Sequence, residues 1–152
     1  MDEPNEQEFR TFVQRMEPRL HRALVAQYGW DLGREATAAA LGYAWERWSQ
    51  VRVLDNPIGY LFRVGQSGTR SRKAPEIFER PYHPEHWYEP TLARLLSELP
   101  ESQRIAVVLV HGYGWTTREV GDLTGVKPTT VQSHLERALR KLRSQLEVTH
   151  NA

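Results

Sequence analysis

The residues with the most chemical potential in this chain lie in one stretch, "TTREVGDLTGVKPTTVQSHLERALRKLR", residues 116 to 143. Lys127, Thr129, Thr130, Gln132, Ser133, His134 and Arg137 share one polar helix face, and Arg140, Lys141 and Arg143 extend its positive charge. Short hydroxyl and amide side chains read base edges in a major groove, while cations meet phosphates. Catalytic chemistry is not legible here. No nucleophile, base and orienting acid group together, and the glycines of "HGYGW" and "GQSG" lack phosphate-loop spacing. His83 and His86 are three apart with Pro84 between them, which makes a poor metal pair. His111 reads as a histidine of the core or of a helix C-terminus. No cofactor and no enzymatic activity are expected.

The elements that must position this face follow from the same stretch. Thr117 opens a short helix on which Val120 and Leu123 point inward while Arg118, Glu119 and Asp122 point to water. Gly125 breaks it, because a left-handed residue is cheap only for glycine. Gly121 must be small to let a neighbouring backbone approach. Val126 and Val131 supply apolar contacts after the turn, and Pro128 fits the first turn of the second helix. The spacing predicts a helix-turn-helix. A solvated helix face with a cationic end is the plainer alternative, and the coincidence of glycine register with a basic face favours DNA.

The rest of the chain reads as all-α. From Glu6 to Lys73 the periodicity is helical: Phe9, Phe12, Val13, Met16 and Leu20 recur at threes and fours, Leu24 and Val25 continue the stripe, and Gly29 closes the helix. "REATAAALGYAWERWSQV" predicts a second helix with Leu41, Trp45 and Trp48 on one face, and Asp55 or Asn56 caps a third that starts at Pro57. Residues 74–91, "APEIFERPYHPEHWYEPT", hold four prolines, four glutamates and one arginine, and so predict an acidic linker rather than a continuous helix. Helical periodicity returns over 92–146. The expectation is two small helical domains, 6–73 and 92–146, joined by a Pro-rich acidic tether.

Composition sets wide bounds. The chain has 152 residues, 39% of them hydrophobic, five tryptophans and a formal net charge of +1, so the distribution of charge says more than its sum. Without cysteine there are no disulfides, thiol catalysis or thiolate zinc sites, which suits a reducing cytoplasm. No apolar run reaches the length of a membrane span, and "MDEPNEQEFR" does not resemble a signal peptide, so the expected location is cytoplasmic without membrane insertion.

The order of these parts resembles bacterial RNA polymerase sigma factors of the small, two-domain extracytoplasmic-function group. "LPESQR", "REVGDLTGV" and "TVQSHLERALRKL" are similar to the promoter-binding C-terminal domain, region 4, and "FVQRMEPRLHRALVAQYGWD", "AWERW" and "NPIGYLFRV" look like the N-terminal one, region 2. The resemblance implies upstream (−35) element contacts at Lys127, Thr129, Thr130, Gln132, Ser133, His134, Arg137 and Lys141. It implies contacts with the opened downstream (−10) strand at Arg63, Gln66, Ser67, Arg70, Arg72 and Lys73, and a polymerase clamp contact at Glu35, Arg47 and Trp48. Promoter DNA and core RNA polymerase are the implied partners, with an anti-sigma protein as a further one of the kind the family uses.

The N-terminal half departs from that family's pattern. Alanines at 36, 38, 39 and 40 replace much of a polar clamp-binding stretch, and Gln66, Ser67 and Ser71 stand where arginine, asparagine and aspartate are common. Residues 60 to 73 still hold Arg63, Arg70, Arg72 and Lys73 with no acid, as single-strand binding requires. Tyr60 and Phe62 are read as core rather than as stacking platforms. Two alternatives stay open: a sigma-like DNA-binding regulator without promoter melting, and a helical protein-interaction module. The acidic linker reads equally as a mimic of nucleic acid in a polymerase cleft or as a solvated spacer.

Overall fold

A computed structural model describes residues 3–69 and 90–151, and among these every regular element is helical. The first half contains α1 (Glu3–Tyr28), α2 (Trp30–Glu46), a single turn α3 (Trp48–Val51) and α4 (Pro57–Thr69). The second contains α5 (Pro90–Glu98), α6 (Glu101–Val107) running into one π-helical turn (Val108–Gly112), then α7 (Thr117–Thr124) and α8 (Pro128–Asn151). The predicted linker lies outside the described residues apart from its last two positions, which open α5 at Pro90. The histidine pair and Ser71 also lie outside them.

In the first half α1, α2 and α4 pack around Leu20, Leu24, Leu61 and Phe62, all fully buried. Gly29, at φ 85°, closes α1 as expected and lets the chain reverse directly into α2. The inward face of α2 differs from the expected one. Ala36, Thr37, Ala40 and Ala44 line it, with Trp48 buried just beyond in α3, whereas Leu41 is only half-buried and Trp45 is 37% exposed. Alanine at successive turns lets α1 approach closely, so the bulky residues are pushed to the flanks. Only Trp48 of the two tryptophans is core: it packs its ring 5.0 Å from Phe12 and 5.1 Å from Phe9. Arg52 pairs with Glu8 at 2.9 Å and ties the turn after α3 back to α1.

In the second half Ile105, Leu109, Val120, Leu123, Val131, Leu135 and Ala138 form the core. The two halves are not held apart. They pack on each other through α1 against α6 and α4 against α7, giving a continuous hydrophobic core across both.

Candidate nucleic-acid interface

The helix-turn-helix forms as its glycines require. Gly125 takes φ 80° and caps α7, with its N–H donating to the Gly121 carbonyl at 2.8 Å. A side chain at Gly121 would bring its Cβ to 2.7 Å from the Val126 carbonyl oxygen, so the smallness expected there is needed for the backbone after the turn. Val126 itself is 38% exposed: the turn packs its main chain rather than its side chain, and Val131, 1% exposed, alone makes the deep contact expected of the two. Thr116 and Glu119 form a reciprocal capping box, each side chain bonded to the other's backbone N–H at 3.0 Å. The T-x-x-E spacing was available in the sequence as its signal.

α8 buries Val131, Leu135, Ala138 and Leu142 on one stripe and turns the opposite side to water. Lys127, Thr129, Gln132, Ser133, Arg137, Arg140 and Lys141 are exposed and Thr130 is half-exposed, so the polar face read from the sequence is physically continuous. His134 is the exception. It is half-buried and lines a small cavity with Val120 and Val131, beneath the face rather than on it. Glu136 is a residue the sequence reading passed over: its carboxylate accepts from the Gln132 amide at 3.3 Å and holds that side chain on the face. Ser133 donates its hydroxyl to the Thr129 carbonyl at 3.2 Å.

The downstream set is divided. Arg63 and Ser67 are exposed on α4, while Arg70, Arg72 and Lys73 lie outside the described residues. Gln66 is engaged: its amide donates to the Gln27 side chain at 2.9 Å, and the Gln27 amide donates to Glu101 of α6 at 3.0 Å. Phe62 is buried at 1% exposure, and the Tyr60 hydroxyl lies 3.1 Å from that of Tyr43, an arrangement that raises the Tyr60 pKa, chiefly through this hydrogen bond. Both aromatics serve packing, as read.

Of the polymerase-contact set, Glu35 and Arg47 are exposed, with Arg47 over the Tyr43 ring at 4.3 Å. Trp48, at 4% exposure, offers no surface to a partner in this conformation. The indole that reaches water is that of Trp45, beside Phe9, Val13, Glu6 and Arg10 in an open groove. Periodicity placed both tryptophans on one face, and both do pack on the Phe9 ring, Trp45 at 4.9 Å and Trp48 at 5.1 Å, but only Trp48 is covered.

A contact absent from the sequence reading joins the halves. Arg104, at the end of the "LPESQR" motif, is 4% exposed and donates to the carbonyls of Ala26 at 2.9 Å, Gln27 at 2.6 Å and Leu99 at 2.9 Å. The last carbonyls of a helix have no partner within it and carry partial negative charge. α1 has no basic residue in its last turn, so Arg104 supplies the cation from the other half. Burial pushes its guanidinium pKa down, and Glu101 nearby opposes that shift. Around it, Arg19 pairs with Glu119 at 3.1 Å while lying 4.3 Å over the Trp115 ring, and Arg22 lies 4.7 Å over Tyr113. Among the described residues no group of three potential metal ligands occurs, and no helix is long and apolar enough to cross a membrane.

Comparison with known proteins agrees with this geometry. No curated protein sequence matches the chain. Residues 91–142 match the family described as sigma-70, region 4, which spans α5 to the middle of α8. Among solved structures, the sigma factor RpoE of Bartonella quintana, crystallised with the anti-sigma factor NepR, is similar with a TM-score of 0.68 at 18% identity. The match covers 93% of this chain and 98% of that one. Most of the exposed polar helix α8 therefore lies within the segment that matches sigma-70, region 4, in a chain whose overall fold is similar to that of the sigma factor RpoE.

Proposed function

We propose that this protein is a transcription initiation factor that binds core RNA polymerase and directs it to specific promoters. The observation that carries the reading is the solvent-facing polar and cationic side of α8, presented by a region 4 domain. An α-helix of this kind fits the major groove, where Gln132 and Thr130 can exchange hydrogen bonds with base edges of the upstream element. Lys127, Arg137 and Lys141 suit the flanking phosphates. The domain plan follows the helices, with a region 2-like part over 6–73 and region 4 over 92–146, joined by residues 74–91.

The N-terminal half takes the other tasks. Glu35, Arg47 and the exposed Trp45 border the outer side of α2, which carries Ala38, Ala39 and Gly42 between them and suits close docking of a polymerase helix. Arg63, Ser67 and the cations that follow suit the opened −10 strand. The protein would itself make and break no covalent bond, since polymerase does the chemistry. An anti-sigma protein is a further partner on this reading, as RpoE of B. quintana crystallised with one.

Run-off transcription tests the reading: purified protein, bacterial core polymerase and fragmented DNA from the source genome. Defined start sites that require the protein are the expected result. DNA or polymerase binding without starts would favour a regulator that lacks promoter melting, a reading to which the engagement of Gln66 by Gln27 lends weight.

A further inference from the structure

The second half of the chain holds a cleft for which the DNA-binding reading has no use. α5 lies against the C-terminal half of α8, and between them is an open cavity of about 440 Å³, a size typical of small-molecule sites. Leu95 of α5, Leu99 just after it and Leu142 of α8 give the cavity an apolar wall, all three being buried. Ser144, a small side chain, lines it further along α8 and leaves it open. Leu146, four residues after Leu142 on the same stripe, is 37% exposed.

The rim of the cleft is cationic. Arg140 and Lys141 border it and are exposed, and among the described residues neither pairs with a carboxylate. Glu98 also borders it, but its carboxylate is already bonded to Arg94 at 3.3 Å. An apolar trough edged by unpaired cations is complementary to a molecule with a hydrocarbon body and an anionic head. A nucleotide fits less well, because among the described residues no aromatic ring lines the cleft for a base to stack on. A guanidinium offers a carboxylate or a phosphate two parallel N–H donors, and an ammonium adds a second point charge.

From this geometry we infer that the cleft between α5 and α8 is a binding site for a single-chain amphiphile with a carboxylate or phosphate head. The chain lies on Leu95, Leu99 and Leu142, and the head meets Arg140 and Lys141. The site goes beyond the promoter reading and stands without it, but the two meet at one residue. Lys141 is also assigned to upstream-element phosphates on that reading, so head and duplex contend for the same cation, and each lowers the affinity of the other by the same factor.

Titration calorimetry of the full chain with laurate or dodecyl phosphate, kept below the concentration at which either forms micelles, tests the site without DNA. One molecule per chain is expected, with the negative heat-capacity change of apolar burial. Laurate should bind at least about threefold more tightly than decanoate, which is two methylenes shorter, and dodecanol, which has no charge, at least about tenfold more weakly than laurate. Arg140→Ala should weaken binding at least about tenfold, and Ser144→Trp, which fills the cleft, should abolish it, with helix content by circular dichroism unchanged in both. Binding of either anion supports the site, and the tighter one names the head. Failure of both to saturate overturns it, as does equal affinity for dodecanol or an affinity that both substitutions leave unchanged. Substitutions that weaken only the binding of core polymerase would make the cleft a groove for protein and overturn the amphiphile site. A chain that binds laurate but no duplex leaves the site standing and removes the promoter reading.

Discussion

α8 and α4 are the two helices with residues suited to nucleic acid, and the fold treats them differently. α8 shows its polar face to water along its first three turns, where Gln132 bonds the Glu136 side chain and Ser133 the Thr129 backbone carbonyl of the same helix. α4 turns part of the corresponding face into the molecule, with Asn56 on Asp122, Gly59 against α7 and Gln66 on Gln27. The difference teaches that residue type defines what a face can bind, whereas packing defines when it can do so. On the proposed reading, the polar face of α8 is open to a partner as the protein stands, whereas on α4 Arg63 and Ser67 are open and Gln66 is held by Gln27.

The contrast breaks most severely at Arg104. Its replacement by alanine leaves the carbonyls of Ala26, Gln27 and Leu99 buried without that donor, and a buried acceptor left unsatisfied costs about 1–3 kcal/mol. Urea denaturation should show a much lower midpoint, and an unchanged midpoint would mean that Arg104 does not join the halves. Arg137→Ala sharpens the comparison from the other side. Upstream-element binding should weaken about equally across sequences and the salt slope should fall by about one if Arg137 meets a phosphate. Arg63→Ala on α4 should leave duplex binding by the free protein unchanged, and equal losses from both substitutions would erase the distinction.

Smaller effects probe each side separately. Gly68 lies in α4 with open space where a Cβ would be, so Gly68→Ala should stabilise the protein by about 0.4–1 kcal/mol in thermal unfolding. A loss of stability would show that α4 needs that glycine. The weakest handle is acid. Hydrogen bonds from the Thr116 backbone and hydroxyl and the neighbouring Arg19 hold the Glu119 carboxyl below its ordinary pKa, although partial burial opposes them. A depressed folded-state pKa means that the stabilisation is fully present above the ordinary glutamate value and lost as pH falls through the depressed one. Because Glu119 and Arg19 are both more than a third exposed, the loss should be under about 1 kcal/mol. Comparing wild type with Glu119→Gln in acid should show the difference closing as pH falls, and a difference that persists undiminished would remove the carboxylate's role.

The sequence by itself determined the helix-turn-helix, down to the left-handed Gly125, the small Gly121, Pro128 in the first turn of α8 and the face that α8 offers. These follow from sterics and hydrogen bonds between residues a few positions apart, and those forces are written into local spacing. Trp48 and Trp45 mark where such reasoning ends, because both pack on Phe9 and only the tertiary packing, with Phe12 against Trp48, decides which indole is core. Only the tertiary structure decided that Arg104 closes the end of a helix 78 residues earlier, and that α4 faces α7. An arginine carries the same charge and donors whatever carbonyls it will meet. Its partners are selected when two hydrophobic faces pack and bring unsatisfied backbone groups to it from a distance.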